Sequence, residues 1–216
     1  MPCKLSHTRC NPVCEFRLSS GEDGLVCERV ERTVAGEQSH GLRTPLEGVP
    51  AAPWRAGDPI EAPLRLISPT VTAEWVDYNG HMSESCYLLV FGDQSDAFFR
   101  LIGIDEAYRA AGHSLFTVQT MIFNLAEAHL NDRLNLSLQL LDADEKRLHI
   151  FHTMHNAQTG DLLATAEQML VHVDMNAGRS APMPADLQER VSAILAAHSG
   201  LAKPAQAGRS IGIRRG

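Results

Sequence analysis

Four successive stretches with strand character, residues 114–125, 133–141, 147–156 and 162–174, dominate the second half of the chain. The connections at 141–146 and 156–161 are short and polar, with Asp142, Asp144, Asn156 and Gly160 as turn formers, so the last three stretches predict an antiparallel meander. A meander with one apolar face must cover it with something. Residues 83–101 are free of proline and place Tyr87, Phe91 and Phe98, followed by Ile102, near one face of a helix, with Glu84, Gln94 and Arg100 assigned to another. Gly92 costs roughly 1 kcal/mol relative to alanine in mid-helix, which implies close backbone packing against the sheet. The expected fold class is therefore α+β, an antiparallel β-sheet wrapped around one long central helix. Residues 66–76 read as a further strand, 104–111 as a short helical piece, 176–179 as a turn, and 185–197, after Pro184, as a short amphipathic helix.

This regular pattern gives a domain over residues 61–198. Residues 1–60 lack a sustained period and contain a Pro/Gly/Ala cluster from Pro45 to Pro59, so they read as a poorly ordered extension. Residues 199–216 hold Lys203, Arg209, Arg214 and Arg215 with no acidic residue and read as a basic disordered tail. The formal net charge of −7 offers no global attraction to nucleic acid or to an anionic membrane. No apolar run approaches the roughly 18 residues of a membrane span, and the first residues lack a signal-peptide core, so the expected location is cytoplasmic. Cys3, Cys10, Cys14 and Cys27, near His7 and His40, match no paired CxxC zinc pattern, and Cys86 within the helix reads as a small buried group. His149, His152 and His155 share one strand, but alternation puts His152 on the opposite face from the other two, which argues against a metal site and for a core or interface histidine.

The segment Asp77-Tyr78-Asn79-Gly80-His81-Met82 sets a carboxylate, an amide and an imidazole around a glycine just before the helix. The first N–H groups of a helix are unpaired and point at whatever occupies such a turn, so a carbonyl there can be polarised beside a carboxylate. Asp77 can act as a nucleophile or as a base for water, and it equally suits a turn or capping role. His81 suits a supporting role, Asn79 tolerates an unusual backbone angle, and Glu84 is favoured in a first helical turn by the helix dipole alone.

Residues 66–174 resemble the hotdog-fold acyl-CoA thioesterases of the 4-hydroxybenzoyl-CoA thioesterase type, through Asp77, the Gly80-His81 pair and Tyr87. The closer likeness is to the betainyl-CoA thioesterases of carnitine degradation, including the module fused to some L-carnitine dehydrogenases. It is carried by residues 77–85, by Phe116-Thr117-Val118-Gln119-Thr120 and by residues 143–149. Two positions depart from that subgroup: Ser83 stands where Asn is common, and Gln119 where Glu is common. The resemblance implies hydrolysis of a small acyl-CoA, with Asp77 and His81 as catalytic residues. Backbone N–H groups of Gly80, His81 and Met82 would steady the oxyanion. It further implies Asn79 and Gln119 at the substrate, and Trp75 and Tyr78 as aromatic contacts for a trimethylammonium acyl group. Arg133, Lys146, Arg147 and Arg179 are candidates for the coenzyme A phosphates. A homodimer or homotetramer and a carnitine-pathway dehydrogenase are the implied partners, and no metal or redox cofactor is implied. Three alternatives stay open: a thioesterase for another short or medium acyl group, a non-catalytic acyl-CoA sensor, for which Gln119 and the unmatched extension are the motive, and a metal-binding interaction segment in residues 1–40.

Overall fold

The computed structural model describes residues 45–46 and 48–213, together with the backbone of two upstream strands, β1 (Phe16–Gly21) and β2 (Gly24–Arg29), which pair as an antiparallel hairpin. The chain divides into two compact units, Met1–Leu42 and Arg43–Gly216. The expectation about zinc at Cys3, Cys10, Cys14 and Cys27 falls on side chains outside the described residues.

In the second unit a long helix, α1 (Glu84–Ile102), leads through a short one, α2 (Glu106–Ala110), into strands β3 (His113–Asn124), β4 (Leu134–Ala143), β5 (Arg147–Asn156) and β6 (Leu162–Asp174). A two-residue strand, β7 (Arg179–Ser180), and a helix, α3 (Ala185–His198), follow. The sheet is antiparallel in the order β3-β6-β5-β4, with β7 beside β6. Period-two alternation sends Leu148, Ile150, His152 and Met154 of β5, and Ala164, Ala166, Gln168 and Leu170 of β6, to the face that α1 covers. Phe91, Phe98 and Ile102 are fully buried against it, each burial stabilising by about 1.5–3 kcal/mol. The helix stops at Gly103, whose left-handed φ of 97° closes the last turn onto the carbonyls of Phe99 and Arg100.

Several expectations need correcting. Residues 66–76 do not form a strand: isolated bridges join Leu64 to Leu138 of β4 and Thr70 to Arg133 just before β4, and a 3₁₀ turn follows at Ala73–Trp75. Pro69 lacks the N–H a continuous ladder would need. Gln94 and Arg100 are buried, not on an outer face. The Arg100 guanidinium pairs with Asp96 and Glu106 and donates to the Val49 carbonyl at 2.7 Å, which pins residues near 49 to α1. Gly92 is exposed, and a side chain there would meet nothing within 4 Å, so close packing is not its reason.

Residues 45–60, expected in the extension, contribute Ile60 to the core and a Trp54 N–H bond to the Leu101 carbonyl at 2.8 Å. Beyond α3, the segment expected as a tail lies against the sheet through Gly208: the Gln139 amide reaches the Ala202 carbonyl at 3.4 Å, and the Gly208 N–H donates to both Glu167 carboxylate oxygens at 3.0 and 2.8 Å.

Candidate active site

The turn before α1 is built by the backbone of the Asp77 segment. Asp77 N–H donates to the His81 carbonyl at 3.1 Å, Ser83 N–H to the Trp75 carbonyl at 2.7 Å and Gly80 N–H to the Asp77 carbonyl at 3.0 Å. One Asp77 carboxylate oxygen accepts the Asn79 N–H at 2.8 Å, a local turn that leaves the other oxygen outside this bond. Gly80 sits at φ 82°, where a side chain would be strained, which explains the glycine. Tyr78 is 97% exposed at the tip, whereas Trp75 is half-buried against the core cluster that includes Val71 and Met82.

The loop at 125–132 folds back onto this turn. Met82 N–H donates to the Ala128 carbonyl at 2.7 Å, and the buried Tyr87 hydroxyl accepts the Ala128 N–H at 3.1 Å while donating to the Ala126 carbonyl at 3.3 Å. Burial raises the Tyr87 pKa, so the hydroxyl stays protonated as the donor. Between turn and loop lies a cleft of about 260 Å³ lined by His81, Met82, Glu84, Tyr87, Asn124, Leu125, Ala126 and Glu127. A second depression, of about 370 Å³, shares Glu84 and Asn124 and opens beside Ser83, Ser85, Leu88 and Ile122. Both flank the N-terminus of α1, where the side chain of Ser83 makes no cap.

Gly80 and Met82 spend their N–H groups on carbonyls, so of the expected oxyanion donors His81 N–H is the one without a backbone acceptor among the described residues. The N–H groups of Glu84 and Ser85, in the first turn of α1, have no intrahelical partner. The His81 ring does not bond the Asp77 carboxylate: Nε2 stands 3.7 Å from the Glu127 carboxylate across the cleft, and Nδ1 is 3.4 Å from the Met82 carbonyl.

Gln119 lies elsewhere. It pairs with Met169 on the face of the sheet away from α1, and it lines a cavity of about 280 Å³ with Met121, His149, Glu167, Gln168, Met169, Gly208 and Arg209. There His149 Nε2 meets the Glu167 carboxylate at 2.7 Å, a pair with no signal in sequence spacing. His152 is buried on the opposite face beside Phe91, and burial pushes its pKa down to about 4. Of the phosphate candidates, Arg147 is paired with Asp144, whose pKa that hydrogen bond holds down at about 2, and Lys146 stands 3.4 Å from Glu145. Arg133 donates to the Ser68 hydroxyl at 3.1 Å. Glu127 and Asn124 escaped the sequence reading, because nothing local connects them with a turn more than forty residues earlier.

The model of the thioesterase-like superfamily matches residues 71–191. Over 153 residues the chain is 52% identical to the L-carnitine dehydrogenase/betainyl-CoA thioesterase of Rhizobium meliloti, covering 71% of this chain and 31% of that protein. The chain thus spans about a third of the length of such two-function relatives. It is 44% identical over 151 residues to the betainyl-CoA thioesterase of Pseudomonas aeruginosa, covering 69% of this chain and 95% of the relative. Among solved structures, a hypothetical protein of Staphylococcus aureus in complex with CoA superposes with a TM-score of 0.67 at 27% identity, over 73% of this chain and all of that one.

Proposed function

The chain belongs to the thioesterase-like superfamily, and from that premise we propose that it hydrolyses an acyl-CoA thioester, betainyl-CoA in particular, to a small acid and free coenzyme A. The observation that carries this reading is the cleft that His81 and Met82, at the end of the turn that begins with Asp77, form with the first turn of α1 and the loop at 125–132. Thioester hydrolysis needs a nucleophile or a base, and donors for the developing oxyanion. Asp77 serves as the first, either by attacking the thioester carbon to give an anhydride that water resolves, or by taking a proton from attacking water. The N–H of His81 and those at the start of α1 serve as the second. His81 supports the turn by its backbone and faces Glu127 by its ring. Asn79, Gly80 and Met82 keep the turn in shape, and Trp75 and Tyr78 are the aromatic contacts offered to the acyl group.

The name of the 44% identical relative supports betainyl-CoA as substrate, and the two-function relatives support a carnitine-pathway dehydrogenase as functional partner. A coenzyme A thioester as substrate fits work in the cytoplasm. Strand β3 is an edge strand of twelve residues with Phe116 49% and Val118 60% exposed, so a second copy pairing there would give a homodimer, or by further association a homotetramer. The position of Gln119 on the far face of the sheet favours a hydrolase over a sensor, since a carboxylate missing there is not one taken from the cleft.

The test is thiol release from a panel of acyl-CoAs. Wild type is expected to hydrolyse betainyl-CoA, with a loss of at least about 100-fold in Asp77→Ala and little change in Gln119→Glu. Tight binding of acyl-CoA without release by the wild type would overturn the hydrolase reading.

A further inference from the structure

Glu127 projects from a loop that the rest of the protein holds in place. The Tyr87 hydroxyl grips the loop on either side of it, at Ala126 and Ala128, and Met82 N–H binds the Ala128 carbonyl. The carboxylate therefore faces the cleft from a fixed backbone, opposite His81 at 3.7 Å and beside His129 at 3.8 Å. The rest of the lining is Met82, Tyr87, Asn124, Leu125 and Ala126, with a second acidic residue, Glu84. Among the described residues no lysine or arginine lines this cleft, and those within ion-pair distance of Glu127 are the two imidazoles. A small anion would be repelled here. A quaternary ammonium has no N–H to donate, so it is recognised by negative charge and polarisable surface, which these walls supply.

We propose that Glu127 is a specificity-determining residue, whose carboxylate selects an acyl group carrying a quaternary ammonium. This rests on the hydrolase reading of the same cleft. Glu127 acts on binding and takes no part in bond breaking, so its removal raises KM more than it lowers kcat. Because its side chain is 63% exposed, the attraction is screened, and the expected effect is about five- to tenfold in kcat/KM.

The experiment compares betainyl-CoA with tert-butylacetyl-CoA, which has the same shape with carbon in place of the charged nitrogen. Wild type is expected to prefer betainyl-CoA, with the preference shrinking in high salt. Glu127→Gln should lose about five- to tenfold more in kcat/KM toward betainyl-CoA than toward the neutral compound, and so collapse the ratio. Glu127→Asp should restore part of it. An unchanged ratio in Glu127→Gln, whether both rates hold or both fall together, overturns the assignment while leaving the hydrolase reading standing. A wild type that releases thiol from neither compound overturns the hydrolase reading and the assignment with it.

Discussion

Removing a single oxygen, in Tyr87→Phe, tests how the loop at 125–132 is held. The ring stays, so the core loses no apolar contact and gains no cavity of consequence. What changes is the partner set of two backbone groups. Ala128 is fully buried, and its N–H would lose its acceptor where water does not reach; an orphaned buried donor costs about 1–3 kcal/mol. The Ala126 carbonyl is on an exposed residue and regains a bond to water, so it adds little. The expected loss is therefore about 1.5–3 kcal/mol, which for a unit of this size is a fall of roughly 4–10 °C in Tm. Urea unfolding followed by circular dichroism should move the midpoint down with an unchanged slope, because the surface exposed on unfolding is the same. The same change loosens the backbone that carries Glu127, so kcat/KM for an acyl-CoA should fall about tenfold, since small misplacements at a site are expensive. A stability loss below about 0.5 kcal/mol would refute the claim that this hydroxyl ties the loop to α1.

Other measurements follow from the same physics. His152, whose folded pKa of about 4 lies below the ordinary 6.5, stays neutral in the core while the unfolded chain takes up a proton, so stability falls as pH drops from 6.5 toward 4. Between pH 6.5 and 4.5 this amounts to about 2–3 kcal/mol, and denaturation of His152→Gln across that range should show a correspondingly weaker acid sensitivity. Asp93 has the opposite sign: burial, and then the nearby Asp96, push its pKa up to about 6, so the folded state binds the extra proton and stability rises as pH falls from 6 toward 3.8. Asp93→Asn should consequently stabilise the protein at pH 8 and leave it unchanged at pH 4, as read by thermal melts at the two pH values. Glu167→Ala removes the acceptor of the Gly208 N–H, and hydrogen exchange at that amide should quicken by roughly tenfold; an unaltered rate would mean that the carboxylate does not hold the segment.

Much of the fold was legible in the sequence because its signals are local. Strands 147–156 and 162–174 follow the expected bounds, since alternation and turn formers act within a few residues. The long helix was readable for the same reason, and Gly103 marks its end. Local reading went astray where burial depends on neighbours that are distant in sequence. Gln94 and Arg100 look like surface residues, yet the sheet and the segment near Val49 enclose them. Apolar content suggested a strand at 66–76, and Pro69 and a 3₁₀ turn broke it.

The site divides along the same line. Asp77, Gly80 and His81 are placed by one tight turn, whose backbone bonds and left-handed glycine are written in six adjacent residues. Glu127 and Asn124 reach that turn through chain closure. Gln119 is the sharpest case. Simple alternation from the buried Leu115 would send residues 117 and 119 to the same face as α1, but a bulge between Thr117 and Gln119 shifts the pairing, so Thr117 meets Leu170 on the inner face and Gln119 meets Met169 on the outer one. One extra residue in an edge strand reverses every side chain beyond it, and whether that residue is accommodated depends on the partner strand, which a pattern of single residues does not contain.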